Sequence, residues 1–371
     1  MKRILALLLC LATALVFAGC NNGGTNGDSD VWDYTSEPKH EPTGVTLNVY
    51  NWGEYIDDEV LDVNAAFTYL TGIEVNYKTF ENNEAMYAIL SSGAAEYDVV
   101  CPSDYMLGKM ISEGMMKKLN FDNIPNYQYI GEEYKNLPYD PNNEYSVPYT
   151  WGTVGIFYNS NYVSEEDVHQ NWDILWNEKY KGKILMFDNP RDAFMIALQK
   201  LGYSMNTTNE KEWNEAYELL AKQKPLLNQY VNDGVYDMMT GEEAWIAPYY
   251  AGDANIMIYG DAGNEAIKFY IPEDGTNFFV DAWGVLKDSK HPDEAEAYIN
   301  FLCRTEVAKA NAEYIGYSTP HVEARKVLDP AVGENPYFYP PENVMKNTDM
   351  YLQLDDATNK IQSDLWLKLR Q

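Results

Sequence analysis

The chain has 371 residues, 46% of them hydrophobic and 14% aromatic, which excludes disorder for most of it and exceeds what one hydrophobic core usually organises. Fifty-seven acidic residues against 27 basic ones give a formal net charge of -30. Such a field repels phosphate backbones, so nucleic acid is excluded as a partner.

In chain order, Lys2 and Arg3 precede an apolar run from Ile4 to Phe17 that is too short to span a bilayer comfortably and reads as a secretory signal peptide over residues 1–19. It ends in Phe17-Ala18-Gly19-Cys20, which resembles the lipobox of bacterial lipoproteins, where the cysteine becomes the lipidated first residue. Residues 21–30 carry no apolar side chain at all, so residues 20–44 are expected to form a flexible tether.

Val45, Leu47 and Val49 alternate with polar residues and mark the first strand. A helix is expected over Asp57–Leu70, with Val60, Val63, Phe67 and Leu70 on one face and Gly72 as its cap. A strand at 73–80, a helix at 83–92, a strand at 97–101 and a helix from Ser103 to Glu113 follow, a βαβαβ order that implies a parallel sheet. The signal turns strand-like between Asn142 and Asn159 and enters a second lobe. That lobe is expected to hold helices around Trp172–Trp176, 192–201 and 211–222, with strands at 184–187, 244–249 and 267–271. A last strand, 278–286, returns to the first sheet ahead of a helix at 292–303, so that a cleft lies between two lobes.

The four histidines have no metal-ligand spacing, and no nucleophile elbow, phosphate-binding loop or dinucleotide fingerprint occurs. No cofactor and no enzymatic activity are expected. Cys101 and Cys303 are either one disulfide or two buried free thiols. The informative residues stand where strands end. The first strand runs into Trp52, Glu54 and Tyr55, and the third into Ser103, Asp104 and Tyr105, places that face the ligand crevice in an open α/β sheet. A carboxylate framed by Trp and Tyr suits an alkylammonium guest; the same residues equally suit a core tryptophan, a helix cap and a solvated turn.

Four segments then occur in order: Tyr50-Asn51-Trp52-Gly53-Glu54-Tyr55, Tyr97-Asp98-Val99-Val100 with Pro102-Ser103, Tyr145 to Gly152, and Ile315-Gly316-Tyr317 with Thr319-Pro320. From Val45 to the C-terminus the sequence resembles the spermidine/putrescine-binding proteins of bacterial ABC importers. The resemblance implies an α/β, two-lobed periplasmic-binding-protein-like fold with the cleft between lobes, residues 45–151 and 281–325 in lobe 1 and 152–280 and 326–371 in lobe 2. It implies a ligand site of Trp52, Glu54, Tyr55, Ser103 and Tyr105 from the first lobe. From the second come Asp192, Tyr250 and Asp253, with Phe279 and Asp281 on one side of a strand and Tyr317 and Gln353 beyond. Asn189 stands where the spermidine-preferring branch has an acid, and the Ala-Gly-Asp run 251–253 resembles the putrescine-preferring branch. The expected partners are a polyamine ligand, the subunits of an ABC permease and the membrane through the lipid anchor. The protein is expected to be a monomer held at the outer face of the bacterial cytoplasmic membrane, extracellular or periplasmic. A receptor for another small cationic solute and a polyamine-sensing ectodomain are the alternatives.

Overall fold

The computed structural model describes residues 31–371; the expected signal peptide, the expected lipidation site Cys20 and the first part of the expected tether lie outside the described residues. Among the described residues there are ten strands: β1 (Thr46–Trp52), β2 (Glu74–Phe80), β3 (Val99–Val100), β4 (Ser146–Asn159), β5 (Ile184–Phe187), β6 (Leu227–Val231), β7 (Ile246–Tyr250), β8 (Ile267–Tyr270), β9 (Thr276–Val285) and β10 (Thr348–Asp349). They run in the order β2-β1-β3-β9-β4-β7-β5-β6, with β8 beside β4 and β10 beside β9. Both β2 and β3 pair parallel to β1, as the βαβαβ reading requires, and β9 returns antiparallel to β3.

The two lobes meet on β4 and β9. Residues 146–153 of β4 pair antiparallel with β9. Its later residues, from Val154 onward, pair with β7 and β8. All fourteen residues of β4 are buried, so its run of Val, Ile, Phe, Tyr and Trp shows no alternation: a strand covered on both faces needs apolar side chains on each.

The first helix spans Val63–Thr71 and ends, as expected, on Gly72 at φ 72. Its start is six residues later than the periodicity suggested. The buried Asp57 carboxylate accepts the backbone N–H groups of Glu59, Val60 and Leu61 at 2.8 to 3.2 Å, holding the chain in a loop, and Val60 points to solvent. A local side-chain acceptor has outcompeted the helix. The segment around Trp172 is a short 3-10 helix, Asn171–Trp176. Helices Val235–Thr240, Thr305–Ile315 and Asp356–Arg370 and strand β6 add to the expected elements.

Ordered structure begins well before Val45. Trp32 sits 6.3 Å from Phe301 and 4.3 Å beneath the Arg304 guanidinium, Tyr34 packs on Tyr69 at 5.5 Å, Glu37 pairs with Arg304 at 2.9 Å, and Thr43 N–H donates to the Gly72 carbonyl at 2.8 Å. The aromatic and charged residues after position 31 give this stretch something to bury, which residues 21–30 lack. Cys101 and Cys303 are free thiols, both buried.

Candidate functional site

The ends of β1, β3, β5 and β7 and the middle of β9 converge on a cleft that opens to solvent. From the first lobe it is lined by Trp52, Glu54, Tyr55, Ser103 and Tyr105; from the second by Asp192, Tyr250 and Asp253; Phe279, Asp281 and Tyr317 complete the wall. Eleven of the twelve residues expected from the sequence therefore share one cavity. Gln353 does not. Its neighbours Met350, Tyr351 and Leu354 turn into the core while Leu352 and Gln353 face solvent. Tyr351 lines the cleft in its place and donates to Asp192 Oδ1 at 2.7 Å.

Phe279 and Asp281 lie two apart on β9 and so share one side. Asp281 is 4% exposed. The Tyr55 hydroxyl donates to its Oδ2 at 2.6 Å, while Oδ1 has no hydrogen-bond partner. Burial pushes the carboxyl up to about 6, against the lowering effect of the Tyr55 hydroxyl and of the neighbouring Ser103 side chain.

Asp253 is also buried. It accepts the hydroxyls of Tyr236 at 3.1 Å and Tyr317 at 3.0 Å. Burial raises its carboxyl to about 7, the two phenols oppose that rise, and the charge of Asp233 adds to it. Asp192 stands in the first turn of helix Pro190–Lys200, capped by Asn189, whose Oδ1 accepts the Asp192 N–H at 2.9 Å. Asn189 Nδ2 and the Tyr250 hydroxyl both donate to Asp192 Oδ2, at 2.9 and 2.6 Å. Asn189 thus braces the neighbouring acid.

Between the acids the walls are aromatic. Tyr55 meets Tyr317 edge-on at 5.3 Å, Phe279 lies 6.1 Å from Tyr317, and Tyr250 lies 5.6 Å from Phe279, spacings typical of favourable ring pairs. Glu54 is exposed at the mouth on a residue with φ 50.

Sequence reasoning missed Glu84, Arg191, Asp233, Tyr236 and Tyr351, all of which line the cleft. Asp233 and Tyr236 follow β6, whose sequence Leu-Asn-Gln-Tyr-Val buries only Val231 and carries a faint strand signal. Had β6 been recognised, the rule that ligands lie beyond strand ends would have found them. Arg191 is buried, donates through Nη2 to Asn206 Oδ1 and the Leu352 carbonyl, both at 2.9 Å, and stacks 4.5 Å from Tyr351.

Among the described residues, eight carboxyl side chains line the cleft, and Arg191 is its one cationic lining residue. No group of three or more His, Cys, Asp or Glu placed to hold a metal ion occurs among the described residues, nor is any described helix long and apolar enough to cross a membrane.

A family model described as bacterial extracellular solute-binding protein matches residues 96–348. The spermidine/putrescine-binding periplasmic protein of Escherichia coli (strain K12) is 37% identical over 89% of this chain and 93% of its own length. The putrescine-binding periplasmic protein SpuD of Pseudomonas aeruginosa is 29% identical over 87% and 91%. Among solved structures, a putative spermidine/putrescine ABC transporter protein from Listeria monocytogenes superposes with a TM-score of 0.81 at 33% identity, covering 88% of this chain and 98% of that one. The substrate-binding protein PotD from Streptococcus pneumoniae gives 0.76 at 36%, over 88% and 98%. With this cleft, this strand order and these relatives, the chain belongs to the bacterial extracellular solute-binding proteins, in the spermidine/putrescine family of ABC-transporter substrate-binding proteins.

Proposed function

We propose that this protein is a lipid-anchored extracytoplasmic receptor that closes around a polyamine, spermidine or putrescine or both, and delivers it to an ABC permease. One observation carries the reading: three buried carboxyls, Asp192, Asp253 and Asp281, are spaced along a cleft with aromatic walls between them. A polyamine is a rod of methylenes with ammonium groups along it. A buried ammonium is tolerable only when paired, and a buried carboxylate likewise, so ligand and cleft each supply what the other lacks. The relatives' names support the same ligand class and the same transport role. The moving bodies are residues 45–151 with 281–325, and 152–280 with 326–371.

Calorimetric titration of the ligand-free protein with both amines tests this, and absence of heat with either at pH 8 would refute it. Because Asp281 and Asp253 hold protons below about 6 and 7, the cation competes with those protons. Affinity is expected to fall by at least about tenfold between pH 8 and pH 5, since each unit of pH below such a pKa costs a factor of ten. A flat profile would show that neither acid meets the ligand. Anchoring is tested separately. Cys20→Ala is expected to move the protein from the membrane fraction to the soluble one, and equal retention of variant and parent would rule out attachment at Cys20.

A further inference from the structure

Glu84 lines the cleft and has no part in the reading above. It stands in the first turn of the helix Asn83–Ser92, whose cap is Asn82: the Asn82 Oδ1 accepts the Ala85 N–H at 2.8 Å. The helix start is thus satisfied without it. Glu84 is held instead by a chain of polar bonds with one sense. The Ser103 N–H donates to Asn83 Oδ1 at 3.2 Å, so the Asn83 amide turns its Nδ2 the other way, where it donates to the Tyr105 hydroxyl oxygen at 3.1 Å. That hydroxyl, already an acceptor, sends its own proton to Glu84 Oε1 at 3.0 Å. Asn83 is buried, and an amide whose two ends are committed in this way fixes the direction of every bond after it. The chain ends on the carboxyl as acceptor, a charge-assisted bond.

The carboxyl so placed has no cation. None of the ion pairs among the described residues includes Glu84. Arg191 spends its Nη2 on Asn206 Oδ1 and the Leu352 carbonyl and lies 4.5 Å from the Tyr351 ring. Glu84 is accessible from the cleft, while the walls on its other sides strip its hydration and raise its carboxyl. Its own backbone N–H and the Tyr105 hydroxyl oppose that rise, the charge of Asp192 adds to it, and Arg191 lowers it. A carboxylate desolvated on all sides but the open one gains most from a cation arriving there.

This place is the Asp192 end of the cleft. The Tyr105 ring meets the Tyr351 ring edge-on with centroids 5.9 Å apart, and the Tyr351 hydroxyl donates to Asp192 Oδ1 at 2.7 Å. Two touching phenols therefore carry one acid each, Glu84 on one proposed lobe and Asp192 on the other.

We propose that Glu84 is a further ligand carboxylate of this cleft and grips a terminal alkylammonium group at the Asp192 end. The inference rests on the polyamine reading for its ligand. A terminal ammonium carries three N–H donors, enough to engage acids on both sides, and the Tyr105 and Tyr351 rings give the adjoining methylenes apolar contact. One cation thereby ties the two bodies together. Asn83 is a positioning residue, which acts on the ligand only through Tyr105 and Glu84.

Titration calorimetry with spermidine at pH 8 tests this on the parent, Glu84→Gln and Glu81→Gln. The amide keeps the side chain's shape and an acceptor for Tyr105, and removes the charge. Glu84→Gln should weaken binding about tenfold or more, the worth of one charge-assisted hydrogen bond. Glu81 is an exposed acid of the same cleft, three residues away and outside the polar chain. Glu81→Gln takes the same charge from the general field and should cost less than about threefold, because solvent and salt screen it. A loss for Glu84→Gln no larger than that for Glu81→Gln overturns the inference. A crystal structure of the parent with spermidine is the second measurement and needs no variant to fold. A ligand nitrogen within about 3.5 Å of a Glu84 carboxyl oxygen is expected, and a separation beyond about 5 Å from every ligand nitrogen overturns the inference. A parent that binds neither spermidine nor putrescine refutes the polyamine reading itself, whereas binding with Glu84 out of contact refutes only the role assigned to Glu84.

Discussion

Asp281→Asn is expected to weaken polyamine binding by about 2 to 5 kcal/mol, the range for truncating one member of a buried charge pair, with little change in the fold. The amide keeps the carboxylate's shape and an acceptor for the Tyr55 hydroxyl, which now donates to Oδ2 at 2.6 Å. What it loses is the negative charge on a group that is 4% exposed and has one oxygen unpartnered. The stability argument runs the opposite way from the binding argument. A carboxyl whose folded-state pKa is raised to about 6 stabilises the fold below its unfolded pKa and loses that contribution as pH rises through the folded value. At pH 8 the native carboxylate is therefore a burden, and removing it should leave the melting temperature unchanged or higher. Titration calorimetry and a thermal melt of the same preparation separate the two effects. Affinity equal to the parent's would remove Asp281 from the site, and a melt lowered by many degrees would mean that the amide disturbs packing.

Gly252→Ala is expected to cost about 1 to 3 kcal/mol of stability, as overpacking does in a filled interior, and to impair binding as well. A methyl group there would fall 2.0 Å from Cδ2 and 2.2 Å from Cε2 of the Tyr317 ring. The ring must then move. Its hydroxyl holds Asp253 at 3.0 Å, and its faces meet Tyr55 and Phe279, so one methyl displaces an acid's donor and two aromatic walls together. The control is Tyr317→Ala. In a background where the ring is already absent, Gly252→Ala should cost much less than it does in the parent, because the two sites share the clash. Strict additivity of the two losses in denaturant melts would disprove the clash.

The binding loops were legible where sequence pattern and geometry coincide. Phe279 and Asp281 were placed together by the two-residue period of a strand, and Trp52 to Tyr55 and Ser103 to Tyr105 by their position after strands that also fold as expected. Asp192, Tyr250, Asp253 and Tyr317 came from the family resemblance instead, since nothing in composition or spacing singles them out. The failures are equally local. Asp57 competes for the amides that would have begun a helix, a side-chain effect invisible to apolar periodicity. Gln353 was misplaced because residues 350–354 belong to no strand or helix and so have no period from which to read direction; Tyr351 takes the inward position through its bond to Asp192. The packed segment from Trp32 to Thr43 escaped notice because its anchoring partners, Phe301, Arg304 and Tyr69, are remote in sequence.

The strands β4 and β9 belong to both lobes, and Phe279 and Asp281 stand on β9 where it pairs with β4, opposite Gly152 and Thr150. If the lobes rotate about these two strands, the strands are the fulcrum, and an atom travels in proportion to its lever arm from it. Asp281 and Phe279 then barely travel, and they would meet the proposed polyamine in nearly their final geometry. Glu54 and Asp233, exposed on loops of opposite lobes, sweep the longest arcs. Capture at such a jaw is ordered in time: the first contacts form near the pivot, and the outer acids arrive last, closing over a guest that is already seated.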